Sequence, residues 1–99
     1  MVIIMEEMKI FVFYDIPNDK TRNKVGEKCK DYGLKRVQFS GFSGTLDRDR
    51  RKKLEIALTK IIGNKEANLI IQPICSACLK DTFTINNKKE EDKIIIKGE

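Results

Sequence analysis

Apolar positions run through this chain in two rhythms. Residues 10–14, "IFVFY", are apolar at five successive positions and are bounded by Pro17. A run that short, rich in Phe and Val, predicts a strand. It does not alternate, so the strand needs cover on both faces. Asn18 or Asp19 then offers a cap and Thr21 a start for a helix. Val25, Cys29 and Tyr32 fall at i, i+4 and i+7, a single apolar stripe. Gly33 suits the position after a helix end, with Leu34 making the hydrophobic contact that follows it.

Residues 35–46, "KRVQFSGFSGTL", read as extended chain with a bend. Gly41 and Gly44 permit either a tight hairpin or one kinked strand. Asp47 caps a second helix, in which Leu54, Ala57, Leu58 and Ile61 give the cleanest helical spacing of the chain. Gly63 and Asn64 stop it. "NLIIQPI", 68–74, is a further strand, and Pro73 marks its end or an edge. "KDTFTI", 80–85, and "DKIIIKG", 92–98, are short candidate strands, and a polar link over 86–92 leads to the last of them.

This order gives an α+β class: a ferredoxin-like β-α-β-β-α-β pattern with an extra C-terminal strand. Two helices cover one face of such a sheet. A second copy of the chain is the simplest cover for the other, which predicts a homodimer. Ninety-nine residues suit one domain, 1–99, with 1–7 as a ragged extension and Met5 and Met8 as alternative starts. No apolar run approaches the ~20 residues of a membrane span. Acids stand where a signal peptide carries its basic region. The expectation is a soluble, cytoplasmic protein with no membrane partner.

Charge sharpens the picture. Residues 20–60 hold thirteen Lys and Arg against five Asp and Glu, while the rest of the chain holds seven against ten. A basic excess confined to one segment suits a polyanion. The plainer reading is a solvated lysine-rich surface. Histidine is absent, which removes imidazole bases, Ser-His and Cys-His pairs and histidine metal ligands.

Three constellations remain. Asp15 follows the apolar strand and precedes Pro17. Either it forms an Asx turn into the helix, or it holds a metal at the strand end. Magnesium keeps several waters and needs only one or two carboxylates beside substrate phosphates, so two copies of Asp15 at a two-fold axis suffice. Arg22, Lys24 and Arg36 flank this point and suit phosphate, as does the run of cations opening the second helix. Phe42 is either a core residue or a ring offered to a base. Cys75 and Cys78 form one C-x-x-C, too few ligands for a closed zinc site unless two copies combine. The strand-to-helix turn of a thioredoxin-like motif is not evident there. Free thiols without a catalytic role are expected. A small zinc or redox protein built on this pair is the rival class.

At these residues the chain resembles the CRISPR-associated endoribonuclease family, the small partner of the integrase in spacer acquisition. "FVFYDIPNDKTRNKV", "DYGLKRVQFSGFSGTL", "KIIG" and "NLIIQPI" follow the family pattern in order over 9–74, and "DKIIIKG" resembles its C-terminal strand. The resemblance implies a ferredoxin-like homodimer whose last strand packs on the partner subunit. It implies a Mg²⁺-dependent endonuclease, with Mn²⁺ as substitute, acting in antiviral defence on single-stranded RNA or double-stranded DNA. Asp15 is then the catalytic metal ligand, paired across the dimer, and Arg22, Arg36 and Phe42 match positions associated with activity. Lys20, Arg22, Lys24, Arg36 and Ser40 are the expected nucleic-acid contacts. Two positions depart from the pattern: Gly41 stands where an aliphatic residue is usual, and Lys24 where some members carry arginine. Some members serve instead as a non-catalytic DNA-binding scaffold that bridges integrase subunits.

Overall fold

A computed structural model describes residues 7–85. The expected strand at 92–98, the polar link at 86–92 and the extension before Glu7 lie outside the described residues. The elements run β1 (Glu7–Asp15), α1 (Asp19–Asp31), β2 (Lys35–Gln38), β3 (Gly41–Asp47), α2 (Arg48–Ile62), β4 (Asn68–Ile74) and α3 (Ser76–Lys80). The four strands form one sheet in the order β2-β3-β1-β4, antiparallel at every junction. This is the ferredoxin-like order. Glu7 already pairs with Asp47, so β1 starts three residues before the apolar run.

Local chemistry explains the boundaries. The Asn18 side chain accepts from the Thr21 backbone N–H at 2.8 Å, and Asp47 accepts from that of Arg50 at 2.8 Å. Each satisfies an orphan donor of a helix N-terminus. At the end of α1, Leu34 N–H donates to the Cys29 carbonyl at 3.1 Å and Gly33 N–H to that of Lys30 at 2.8 Å. This is the paired Schellman arrangement, and it needs the positive φ of 85° that Gly33 supplies.

Alternation along β1 divides the molecule. Ile10, Val12 and Tyr14 point to the helices and are buried with Val25, Cys29, Leu34, Phe42, Leu46, Leu54 and Leu58. Phe11 and Phe13 point the other way and stack on each other, with ring centroids 5.8 Å apart. The expectation of a strand apolar on both faces therefore holds, and both helices lie on one side. On the open side Phe13 remains 42% exposed and Ile70, in β4, 59% exposed.

The hairpin resolves one ambiguity. The chain turns at Phe39 and Ser40, with the register shifting between Arg36 and Gln38, and neither Gly41 nor Gly44 has positive φ. These glycines serve close approach. A Cβ on Gly44 would lie 2.5 Å from Leu34 Cδ2, while one on Gly41 would lie 3.2 Å from the Gln38 Cβ and 3.3 Å from the Phe13 ring. The aliphatic residue usual at position 41 would press on the Phe13 ring and the Gln38 side chain, which would have to give by a few tenths of an ångström.

Two readings need correction. The stretch at 80–85 is not a strand; α3 occupies Ser76–Lys80, and no strand follows through 85. The C-x-x-C does sit at a strand-to-helix turn, because Cys75 caps α3 directly after β4. Five helical residues are too few to show a period in the sequence.

Candidate metal and nucleic-acid site

The end of β1 is the focus of the site. Asp15 is the last residue of the strand and, by alternation, stands on the open face beyond Phe13. The register sets Asn68 of β4 opposite it on the same face. Asp15 is exposed and has no hydrogen-bond or ion-pair partner among the described residues. The Asx-turn reading fails here, since Asn18 provides the cap. What remains is a free oxygen donor beside a carboxamide, at the rim of an uncovered apolar face. No cluster of three or more acidic, Cys or His groups exists among the described residues. One chain therefore offers a single carboxylate here, and a cation held by two would need a second Asp15.

The arginines lie around the corner of the sheet. Tyr14 precedes Asp15 and points to the helix side, where it lines a cleft of about 200 Å³ with Arg22, Asn23, Arg36 and Phe39. Arg22 spans the loop after Asp15: its Nη1 donates to the Ile16 carbonyl at 3.0 Å and the Pro17 carbonyl at 3.4 Å. Its Nη2 pairs with the Asp19 carboxylate. Arg22 thus fixes the loop that leaves Asp15. Arg36 pairs in register with Phe42, its guanidinium 4.8 Å from the ring centroid, and its Nη1 donates to the Phe39 carbonyl at 2.5 Å.

Gly26 lies beside this cluster, where a Cβ would sit at ordinary contact distance. A Cβ there would meet Arg36 Nη2 at 3.5 Å, the Phe42 ring at 3.6 Å and the Tyr14 hydroxyl at 3.6 Å. Burial pushes the Tyr14 phenol above its usual pKa, and the Arg36 guanidinium opposes that shift.

The other expected contacts separate into groups. Ser40 lies in the β2–β3 turn, and its carbonyl accepts the Tyr14 N–H at 3.0 Å, which ties the turn to the site. Lys20 and Lys24 line a different groove of about 460 Å³ beside Glu27, Lys28, Asp31 and Ile61. Phe42 is wholly buried, so it supports Arg36 from the core and does not present a ring to solvent. Sequence reasoning missed Tyr14, Asn23, Gly26, Phe39 and Asn68. Nothing short of the turn position singles out Phe39.

The cysteines stand apart from this site. Cys29 is buried, which pushes its thiol up to about 12. Cys75 Sγ accepts from the Cys78 N–H at 3.4 Å; that backbone bond, helped by the Cys78 thiol, lowers the Cys75 pKa, while Cys78 is raised by its contact with Cys75. Alkylation of the native protein at neutral pH should therefore modify Cys75 fastest and leave Cys29 untouched, as peptide mass mapping would show. Equal labelling of all three would contradict this placement. Replacing both Cys75 and Cys78 by Ser should leave nucleic-acid binding within a few-fold. A larger loss, or zinc bound at one ion per pair of chains, would tie them to function.

Comparison with known proteins points the same way. The family described as CRISPR associated protein Cas2 matches residues 8–82. A CRISPR-associated endoribonuclease Cas2 of Desulforudis audaxviator (strain MP104C) is 48% identical over 73 residues, covering 74% of this chain and 69% of that relative. A chain of a solved partial Cas6-RT-Cas1–Cas2 complex aligns with a TM-score of 0.68 and 27% identity, over 79% of this chain and 90% of that one. The Cas2 crystal structure from Streptococcus pyogenes aligns with a TM-score of 0.67 over 80% of this chain and 100% of that one. At 24% identity it shows the shared fold.

Proposed function

The chain belongs to the CRISPR associated protein Cas2 family, and from that premise we propose that it is a Mg²⁺-dependent endonuclease acting as a homodimer. Asp15 carries this reading: among the described residues it is an unpartnered carboxylate at a strand end, beside an apolar face that those residues leave open. The solved relative found with Cas1 supports an integrase partner, and the curated relative named as an endoribonuclease supports RNA as a substrate. No described helix is long and apolar enough to cross a membrane; a cytoplasmic location belongs to the same proposal.

Asp15 of each subunit would hold the cation, with Asn68 beside it. When bound, Mg²⁺ neutralises charge on a phosphodiester and acidifies water, which supplies what the missing histidine cannot. The chain's own groups do the rest. Arg22 holds the Ile16–Pro17 turn and so the exit of Asp15 from the strand. Arg36 offers a fixed cation to a phosphate that crosses the sheet end. Cleavage of RNA and duplex DNA by purified wild type and Asp15→Ala, with Mg²⁺ or with EDTA, tests the reading.

The dimer follows from the open face. Phe13 and Ile70 are exposed there, and the buried Ser43 hydroxyl on that face lacks a partner among the described residues, a cost of about 1–3 kcal/mol if unrelieved. Light scattering should give a dimer at micromolar concentration, and Phe13→Asp should give a monomer. A stable wild-type monomer would sink this assembly.

The relative in the Cas1–Cas2 complex also favours a second reading: a non-catalytic scaffold that grips duplex DNA through phosphates and bridges integrase subunits. Asp15→Ala that still binds duplex and supports the integrase, from a wild type that cleaves nothing, would select it.

A further inference from the structure

The β2–β3 turn carries an exposed ring beside fixed cations. Phe39 is 66% exposed, and it forms a wall of the cleft shared by Tyr14, Arg22, Asn23 and Arg36. A single exposed aromatic needs no explanation by itself. This one differs because its backbone is clamped. Its carbonyl takes the Arg36 guanidinium, and that guanidinium rests on the buried Phe42 ring. The neighbouring Ser40 carbonyl is bonded to β1 through the Tyr14 N–H. Arg22, on the cleft's wall, pairs with the Asp19 carboxylate. The cleft therefore sets the Arg36 charge beside an exposed ring whose backbone is held in place.

We infer that this cleft is a nucleotide subsite: Phe39 stacks on one unpaired base while Arg36 faces its phosphate and Asn23 offers an amide to the base edge. The inference rests on the nucleic-acid reading above and deepens it. Every base has a π-face, so such stacking tolerates sequence. A base inside a duplex is already stacked on its neighbours and cannot reach the ring. The subsite therefore selects single strands, or single-stranded ends of a duplex, over duplex interiors. Asp15 opens on the other face of the same strand end. A strand seated here crosses the β2–β3 turn before it reaches that carboxylate.

The test uses the full-length dimer in EDTA, so that binding is read without cleavage. A single-stranded RNA oligonucleotide bearing 2-aminopurine, its DNA equivalent and a blunt duplex are titrated against wild type, Phe39→Ala and Phe39→Trp. Phe39→Ala should weaken single-strand binding about ten- to a hundred-fold and leave the duplex affinity unchanged. Phe39→Trp should retain single-strand binding and quench the 2-aminopurine. Phe39 is exposed, so thermal melts of all three proteins should agree. Phe39→Ala binding single strands like wild type, or losing duplex equally, would overturn the subsite. Wild type that binds no single strand would overturn it too. Failure of the nuclease reading looks different: single strands bind through Phe39, but Mg²⁺ produces no cleavage that depends on Asp15.

Discussion

Asp15→Asn should abolish metal-dependent cleavage and leave the folded dimer intact. The substitution keeps the shape of the side chain and removes its charge. Asp15 makes no bond among the described residues that the carboxamide would break, since Asn18 caps the helix and Arg22 grips Ile16, Pro17 and Asp19 instead. In the proposed dimer, two Asp15 carboxylates facing each other would repel until a cation relieved them. The metal-free Asp15→Asn dimer should therefore melt at the wild-type temperature or slightly above it. Cleavage of labelled RNA and duplex DNA, with calorimetric melts of both proteins in EDTA, reads the two halves of this prediction. Wild-type cleavage by Asp15→Asn would remove Asp15 from the chemistry. Unfolding would mean that the carboxylate serves the turn.

Phe42→Ala should also lose activity, by a different route. The ring is wholly buried against Tyr14, with centroids 6.3 Å apart, and lies under the Arg36 guanidinium. Removing it leaves a cavity in the centre of the core, at a cost of about 3–5 kcal/mol. A domain this size has a total stability of about 5–15 kcal/mol, so a large part of the population unfolds at modest urea. Urea titration followed by circular dichroism should show the midpoint falling with an unchanged slope. Phe42→Leu, closer in volume, should recover most of the stability. A Phe42→Ala protein as stable as wild type yet inactive would show that the ring itself meets nucleic acid.

The contrast between Phe42 and Phe39 shows where the sequence stops being legible. Both rings lie in "QFSGFSG", and the two glycines suggest a turn around position 42. The chain turns instead at Phe39 and Ser40, because Gly44 is needed for Leu34 to approach and Gly41 lies beneath Phe13. Both contacts join residues ten or more positions apart in the sequence, and no local pattern encodes them.

Capping, by contrast, is local. Asn18, Asp47 and Gly33 declare the helix ends through bonds to residues within five positions, and these were readable. So was the two-sided character of β1, since alternation alone places Phe11 and Phe13 opposite Ile10 and Val12. The same alternation puts Tyr14 and Asp15 on opposite faces. It follows that Arg36, which registers with Phe42, approaches from the Tyr14 side. Asp15 and the arginines are neighbours in sequence pattern and are divided by the sheet in space.

The shared carboxylate site is tested most directly by titrating the EDTA-stripped dimer with Mn²⁺ in a calorimeter, without any substrate. One ion should bind for every two chains, and none in Asp15→Asn. One ion per chain, or binding that survives in Asp15→Asn, would contradict it.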